Sequence, residues 1–424
     1  MREMKDSGIE WIGKIPEEWT KDKAIRLFNI IGSGTTPKNI TSDFPCVNWI
    51  QSGDINGSLI SSCKNNVSES IISQYSALKI YAAPFIVIAM YGASVGNTSI
   101  SLIDGCVNQA CCVLSASIYN LNYAFYAIKS SQNYLIRKAI GGGQPNISQD
   151  TIKQLWLPLP ALHEQKRIAA FLDAECAEID AVLEKTRASI EEYKKLKQAV
   201  ITQAVTKGIR SDRPMKDSGS VWFEEIPCNW VMKRIKYLFH IKKDIAGKEG
   251  YTVLSITQSG IKPKDLSKNE GQLADNYSHY QLLNPGDFAM NHMDLLTGWV
   301  DISKYSGVTS PDYRVFVLDD TEKNDSSYYL YLMQMCYFNR IFYGLGQGVS
   351  GMGRWRLQAD KFLNFPVVVP PVDEQKEIAS YLNEKCSCIE VMIAKKQQYL
   401  TEIETYKKSL IYEYVTGKKE VHPL

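Results

Sequence analysis

Long hydrophobic runs are missing from this sequence of 424 residues. The longest apolar stretch, Ile80 to Val95, is interrupted by Pro84 and Gly92 and falls short of the ~20 residues that a membrane-spanning helix needs. Charged residues near the first methionine are not followed by an apolar run, so no secretory signal is predicted and we expect a cytoplasmic protein.

Clustered metal ligands and an excess of charge are also absent. The ten cysteines include no Cys-x-x-Cys pair and the five histidines lie far apart in sequence, so we predict free thiols and no metal site. Forty-eight basic residues against 46 acidic ones give a net charge of +2. Such a balance provides no general attraction for nucleic acid or for an anionic membrane.

Common catalytic motifs are not found either. The sequence has no phosphate-binding Gly-x-x-x-x-Gly-Lys-Ser/Thr loop, no Gly-x-Ser-x-Gly elbow and no His-Glu-x-x-His helix. A Glu-x-Lys element at 164–166 and again at 374–376 is half of a metal-nuclease signature, but it opens a helix, where a glutamate also complements the helix dipole. We therefore predict a chain with no catalytic residues.

A tandem duplication dominates what is present. Residues 4–8 recur letter for letter as residues 215–219, and the segment around Glu164 recurs around Glu374, which indicates a repeat of about 210 residues. Further matched pairs are Trp11 with Trp222, Trp19 with Trp230 and Pro160 with Pro370. Between these shared ends the two halves diverge, which is typical of one scaffold that carries two differently adapted variable regions.

Each half closes with a long helical pattern. Apolar residues follow one another at alternating steps of four and three, the spacing of a coiled-coil seam, by which we mean the positions that face the paired helix. The predicted seam consists of Ile168, Leu172, Ile179, Val182, Tyr193, Leu196 and Val200 in the first helix and of Ile378, Leu382, Ile389, Met392, Tyr399, Ile403, Tyr406 and Leu410 in the second. Antiparallel pairing of the two helices would place the variable regions at opposite ends.

The variable regions read as mixed α+β domains, because short Val/Ile/Tyr runs alternate with Gly, Asn, Asp and Ser. We predict an N-terminal segment with the first variable domain at 1–160, a central long helix at 161–210, the second variable domain at 211–370 and a C-terminal long helix at 371–424. Two alternatives stay open on these residues. One is a coiled-coil adaptor whose variable domains bind proteins or glycans, and the other is an enzyme with one catalytic half.

Each variable region is only weakly basic, with ten basic against six acidic residues in 20–160 and sixteen against fourteen in 231–370. Such regions bind DNA only if a partner supplies much of the phosphate neutralisation. Polar side chains on glycine-rich loops are nevertheless of the types that contact base edges. The candidate DNA-binding residues are Lys38, Asn39, Ser94, Asn97, Gln144, Asn146, Lys262, Lys264, Asn291, His292, Gln347, Arg354 and Arg356.

An ordered set of short motifs resembles the specificity subunit of type I restriction-modification enzymes, and the likeness covers nearly the whole chain. The motifs are the repeated Trp-x₇-Trp opening (11–19, 222–230), Gly-Thr-Thr-Pro (34–37), Asn-Trp-Ile (48–50) with Gly-Asp-Ile (53–55), Met-Tyr-Gly-Ala-Ser-Val-Gly (90–96), Asn-Gln-Ala (108–110), Pro-Gly-Asp (285–287), Ser-Pro-Asp-Tyr (310–313), the two Pro-x-x-Glu-Gln-Lys helix openings and the closing Val-Thr (205–206, 415–416).

The resemblance implies an α+β fold in which two mixed α/β target recognition domains alternate with two long helices, paired as an antiparallel coiled coil in a pseudo-twofold tandem repeat. It implies a non-enzymatic subunit whose domains each bind one half of a split, asymmetric site in double-stranded DNA, while the helices set the spacer. Two methyltransferase subunits would dock on the helices and bring S-adenosylmethionine for adenine methylation. Restriction subunits, which are motor nucleases, would join for cleavage, and no membrane is involved.

Overall fold

The computed structural model describes residues 2–38, 45–139, 145–265, 276–348 and 355–421. It divides into two compact units: unit 1 comprises Met1–Arg187 and Gln398–Leu424, and unit 2 comprises Ala188–Gln397. Each unit therefore holds one variable domain and part of each long helix. The boundary between the units cuts each long helix in two. The sequence analysis instead treats each long helix as a separate segment, and its boundaries stay a prediction.

Unit 1 is built on a five-stranded sheet of order β4-β11-β8-β9-β6, in which only the β6–β9 pair is parallel. A smaller sheet, β10-β5-β7, lies beside it, and β12 pairs with β3. The strands are β1 Met4–Asp6, β2 Lys14–Pro16, β3 Thr20–Lys23, β4 Phe28–Ser33, β5 Cys46–Ile50, β6 Leu59–Ile60, β7 Asn66–Ser68, β8 Phe85–Ala89, β9 Thr98–Ser101, β10 Gly105–Val107, β11 Cys111–Ser117 and β12 Trp156–Leu159. The helices that begin in this unit are α1 Ala24–Leu27, α2 Glu69–Ile72, α3 Leu121–Ser130, α4 Gln132–Lys138, α5 Gln149–Lys153 and α6 Leu162–Lys207.

Unit 2 repeats this plan with a four-stranded sheet of order β16-β23-β20-β21. Here β26 pairs with β15 as β12 pairs with β3 in unit 1. The strands are β13 Met215–Asp217, β14 Glu225–Pro227, β15 Val231–Arg234, β16 Phe239–Lys242, β17 Leu254–Thr257, β18 Gly260–Pro263, β19 Gln281–Leu283, β20 Phe288–Met290, β21 Val300–Ile302, β22 Gly307–Thr309, β23 Arg314–Leu318, β24 Gln347–Gly348, β25 Trp355–Arg356 and β26 Pro366–Val369. The helices are α7 Ser326–Phe338, α8 Ile341–Leu345, α9 Ala359–Asn364 and α10 Val372–Val415.

The central strand of each sheet is buried on both faces. In β8, Ile86 and Ile88 belong to the core that includes the long-helix residues of unit 1, whereas Phe85 and Val87 belong to a second core on the opposite face. Successive side chains of a strand point to opposite faces, so two cores require an uninterrupted apolar run. This explains why the sequence of β8 does not alternate between apolar and polar residues.

The two long helices contain no glycine or proline, and each ends just before a glycine with positive φ. Gly208 follows α6 with φ of 78°, and Gly417 lies two residues beyond α10 with φ of 70°. This left-handed conformation closes a helix C-terminus and strains any residue that has a Cβ atom. The helix bounds are thus local consequences of sequence.

The paired helices run antiparallel within each unit. In unit 1 the ion pairs Asp180–Lys407 and Arg187–Glu404 are each 2.6 Å long, so residue numbers rise on α6 as they fall on α10. In unit 2 the pairs Lys197–Glu390 and Arg210–Glu377 follow the same direction. Exposed ion pairs contribute only about 0–1 kcal/mol, so their main effect is on register and direction.

Several residues predicted to face the paired helix are exposed instead. Five predicted residues are exposed by 40% or more: Val182, Leu196, Met392, Tyr399 and Tyr406. Burial falls one residue later instead, on Leu183 and Lys197 in α6 and on Ile393, Leu400 and Lys407 in α10. The observed seam is Leu172, Cys176, Ile179, Leu183, Thr186, Ile190, Tyr193 and Lys197 in α6, and Leu382, Cys386, Ile389, Ile393, Lys396, Leu400, Ile403, Lys407 and Leu410 in α10.

The prediction was wrong at Leu196 and Tyr406 because the covered neighbour is a lysine, which an apolar pattern passes over. At the other three positions the exposed residue and its covered neighbour are both apolar, so hydropathy does not distinguish them. The observed seam includes Cys176, Thr186 and three lysines, whose aliphatic stems cover apolar surface while their charged ends reach solvent. Of the other predicted seam residues, Ile168, Leu172, Ile378, Leu382, Ile389 and Leu410 are buried, and Ile179, Tyr193, Val200 and Ile403 are half-buried.

The repeated Glu-Gln motif at the start of each long helix forms a buried junction. In unit 1, Trp19 Nε1 donates to Glu164 Oε2 over 2.9 Å, and Arg2 Nη1 donates to Glu164 Oε1 over 2.6 Å. In unit 2, Trp230 Nε1 donates to Glu374 Oε2 over 3.0 Å, and Arg213 pairs with the same carboxylate. Since these glutamates are held by indole and guanidinium groups, the structure assigns them to scaffolding.

The glutamine that follows each glutamate joins the helix to the variable domain. Gln165 Nε2 donates to the Pro160 carbonyl, and its Oε1 accepts the Asn120 backbone N–H, both over 2.8 Å. Gln375 makes the equivalent bonds to Pro370 and Asp325. Asn120 and Asp325 in turn cap α3 and α7 with their side chains. The most strongly repeated residues of the sequence thus build the same joint twice.

Candidate nucleic-acid interface

The candidate residues of unit 1 that the structure describes lie at two places. Lys38 is exposed after β4, and Asn146 is exposed beside Tyr91, with which it forms a β-bridge. Ser94 is half-buried, and its Oγ donates to the Tyr91 carbonyl over 3.2 Å. Ser94 and Asn146 are therefore brought to the same edge of the domain.

The side chain of Asn97 is engaged within unit 1. Its Oδ1 accepts from Gln132 Nε2 over 2.8 Å, and its Nδ2 donates to the Ile55 carbonyl over 3.4 Å. Because both ends of the amide have partners inside the domain, Asn97 helps to hold the edge on which Ser94 lies. Base recognition by Asn97 would need those bonds to break.

In unit 2 the candidate lysines lie on and just after a hairpin formed by β17 and β18. Lys262 is exposed, and its Nζ donates to Ser259 Oγ over 3.1 Å. Lys264 is half-buried, and its backbone N–H donates to the Val253 carbonyl over 2.8 Å. The Lys262 side chain therefore lies on the surface of the hairpin, exposed to solvent.

A second group of candidates meets where β24 pairs with β25. Gln347 and Arg356 face each other in that register, and both are exposed. Asn291 lies near the end of β20, and its Oδ1 accepts the backbone N–H groups of Met293 and Asp294, each over 3.1 Å. The side-chain oxygen of Asn291 therefore shapes the loop that carries the next residue, His292.

His292 is buried, with 6% of its surface exposed, and lines a cavity of about 310 Å³. Three basic side chains line the same cavity: Lys243, Arg314 and Arg356. Burial, together with the charges of the two arginines, lowers the pKa of His292 to about 3. At neutral pH the imidazole is uncharged and sits among three cations.

Three candidates, Asn39, Gln144 and Arg354, lie outside the described residues. Arg314 and Lys243 are basic residues that sequence reasoning missed. Arg314 begins β23 within the apolar run Tyr313–Leu318, and a charged residue in such a run is a signal that could have been followed.

An equivalent backbone hydrogen bond occurs in both units and shows which residue of unit 1 corresponds to His292. Ile147 N–H donates to the Met90 carbonyl in unit 1, and Leu357 N–H donates to the His292 carbonyl in unit 2, each over 2.9 Å. Asn146 and Arg356, the residues just before the two donors, thus hold equivalent positions. One scaffold presents an apolar Met90 in one unit and His292 in the other.

Comparison with known proteins decides what this duplicated scaffold is. The family model of the type I restriction modification DNA specificity domain matches residues 16–192 and, a second time, residues 227–402. The two matches together cover well over half of the chain. The chain belongs to this family. It is a DNA specificity subunit of a type I restriction-modification system, as its sequence motifs predicted.

Individual relatives agree with the family. The chain is 26% identical over 317 residues to the type I restriction enzyme MjaVIII specificity subunit of Methanocaldococcus jannaschii, a match that covers 71% of each chain. It is 25% identical over 311 residues to the putative type I restriction enzyme MjaX specificity subunit of the same organism, covering 69% of this chain and 65% of that one. The adaptor alternative has no support in these matches.

A solved structure shows the same fold. A chain from a study of complex assembly and conformational transition of the type I restriction-modification system superposes with a TM-score of 0.70 at 14% identity, covering 96% of this chain and 99% of that one. The α+β architecture with tandem recognition domains and long paired helices, predicted from the sequence, is confirmed. Within the described residues, no helix is both long and apolar enough to cross a membrane.

The lowered pKa of His292 predicts how the stability of unit 2 depends on pH. An unfolded histidine takes up a proton near pH 6.5, whereas the folded one stays neutral until about pH 3. Between these values the unfolded state binds more protons, so the free energy of unfolding falls as the pH falls below 6.5. We expect His292→Gln to reduce the loss of stability between pH 7 and pH 5, measured by urea unfolding at both values. An unchanged pH dependence would show that the pKa of His292 is the same in the folded chain as in the unfolded one.

Proposed function

We propose that each recognition domain binds one half of a bipartite, asymmetric site in double-stranded DNA. This proposal rests on a contrast between the two units: the buried junctions are alike, whereas the residues at one edge of each domain differ. The Trp–Glu–Arg junction is the same in both units, whereas equivalent edge positions hold Met90 and Asn146 in one and His292 and Arg356 in the other. Because base contacts depend on edge side chains, two unlike edges favour two unlike half-sites.

We further propose that the paired helices set the unspecified spacer between the half-sites and dock two methyltransferase subunits. The exposed apolar residues on the two helices support docking, since large side chains exposed beside a paired seam are common where another protein binds. They are Val182, Leu196, Val391, Met392, Tyr399 and Tyr406.

In this proposal the specificity subunit contributes recognition, and the chemistry belongs to its partners. The methyltransferases bring S-adenosylmethionine and methylate adenine, and restriction subunits join the complex for cleavage. The modest charge of each variable region fits this division, because partner subunits then supply much of the phosphate neutralisation. The complex acts on DNA in the cytoplasm.

Co-expression with the cognate methyltransferase in a methylation-free host tests the proposal. Single-molecule sequencing for methyladenine is expected to reveal a two-part motif with a fixed gap, and methylation should disappear when the specificity subunit is omitted. The specificity subunit expressed alone should leave the genome unmethylated. A palindromic motif would refute unlike half-sites, and absence of methylation from an assembled complex would refute the proposed function.

A further inference from the structure

The cavity beside His292 in unit 2 combines basic side chains with one unpaired polar atom, Nδ1 of His292. Its lining includes Lys243, His292, Arg314 and Arg356, and none of the described residues that line it is acidic. His292 Nδ1 is shielded from solvent and has no hydrogen-bond partner among the residues the structure describes. Leaving a buried polar group unpaired is unfavourable, so it marks a place where a ligand would add bonds.

Arg314 is the most unusual member of the cavity. It is 5% exposed, and its Nη2 donates to the Leu357 carbonyl over 2.8 Å, while its guanidinium lies 5.0 Å from the centre of the Phe362 ring. No ion pair joins Arg314 to a carboxylate anywhere in the described ranges. A buried guanidinium without a counter-charge is costly unless an anion compensates it.

Unit 1 shows that the scaffold does not need this charge. Arg314 begins β23 and faces Met290 at the end of β20; in the register that aligns Met90 with His292, the equivalent pair of unit 1 is Cys112 in β11 and Ile88 in β8. Cys112 is fully buried and forms part of the apolar core that includes the long-helix residues of unit 1. The charged cavity is therefore a feature of the second recognition domain and not of the shared fold.

We propose that the cavity lined by His292, Arg314 and Arg356 is an anion site that takes a phosphate group of the target DNA. This inference rests on the proposed function. Arg356 is exposed at the mouth of the cavity and meets the phosphate first, while Arg314 supplies positive charge from below. Arginine is suited to the role because its planar donors match phosphate oxygens. A backbone contact of this kind fixes the position of the domain on the duplex without reading a base.

The test uses the full specificity subunit assembled with its methyltransferase and measures DNA affinity by fluorescence anisotropy at several salt concentrations. Arg356→Gln is expected to weaken binding roughly tenfold at low salt. It should reduce the slope of log affinity against log salt by about one, equally for duplexes with and without the target motif. Arg356→Lys, which keeps the charge, should retain the slope. Lys236→Gln removes one exposed charge of unit 2 that does not line the cavity and serves as the control, with no change in slope.

Three results would overturn the inference. An unchanged salt slope in Arg356→Gln would show that no phosphate is bound there. A changed base preference at one motif position with the slope intact would show a base contact instead. Saturable binding of inorganic phosphate, seen by ³¹P NMR and lost in Arg356→Gln while DNA binding is unaffected, would assign the cavity to a free anion. Failure of the proposed function looks different, since the unmutated complex would then bind no DNA selectively.

Discussion

Replacing Trp230 with alanine is expected to destabilise unit 2 by about 3–5 kcal/mol, the usual range for removing a fully buried tryptophan. The Trp230 ring packs against Gly208 at the end of α6, and its Nε1 donates to Glu374 at the start of α10. Its loss creates a cavity and leaves a buried carboxylate with one partner fewer. Hydrogen exchange of backbone amides measures the effect for each unit separately, and the amides of β15 and β26 are expected to exchange faster.

Two further variants make this prediction specific. Trp19→Ala removes the equivalent residue of unit 1 and should accelerate exchange in β3 and β12 there. Val221→Ala changes a residue of unit 2 that is 88% exposed and should have little effect. If Trp230→Ala destabilises unit 2 by less than about 1 kcal/mol, the junction is not what holds the domain to its helix.

Lengthening both long helices is expected to lengthen the gap in the DNA motif. Seven residues inserted between Ser189 and Ile190, with seven more between Gln397 and Gln398, add one heptad to each helix and preserve the alternation of four and three. At ~1.5 Å per residue this adds roughly 10 Å, which corresponds to about three base pairs. Methylation mapping with the extended subunit should therefore return the same two half-sites with a longer gap.

A matched control extends α6 alone. The lengthened α6 then carries two helical turns that α10 cannot cover. The seam is mismatched, and methylation should fall sharply. If the doubly extended subunit methylates the original motif with an unchanged gap, the helices do not set the spacer. If it methylates sites with altered half-sites, the insertion has disturbed the recognition domains.

The coiled-coil seam shows how far sequence pattern reaches. Heptad spacing was visible in both helices, and Leu172, Ile179, Leu382 and Ile389 are indeed covered. The alternate positions lie one residue later than predicted in both helices: Lys197 and Lys407 are covered in place of the apolar Leu196 and Tyr406. Leu183 and Ile393 are covered in place of Val182 and Met392, although both members of each pair are apolar. Whether a lysine stem or a valine faces the paired helix depends on packing, which hydropathy does not describe.

The repeated motifs show the same limit at the junctions. Glu164 and Glu374 were recognisable as helix openers, but their partners Arg2 and Arg213 lie more than 160 positions away in sequence. Arg2 and Arg213 also occupy equivalent positions in the repeat, a correspondence that the sequence contained and that sequence reasoning missed. Only the folded chain shows that Arg2 pairs with Glu164 in unit 1 and Arg213 with Glu374 in unit 2.

The sequence by itself determined the duplication, the two long helices, the α+β class and the family, because these depend on order, spacing and local backbone preference. It also supplied the candidate recognition residues, of which His292 and Arg356 meet at one cavity. The tertiary structure decided that Arg314 joins them, that Asn97 is tied up inside its domain, and which face of each helix is covered. Such facts arise from contacts between residues far apart in the chain, and burial and electrostatic environment exist only once the chain has folded.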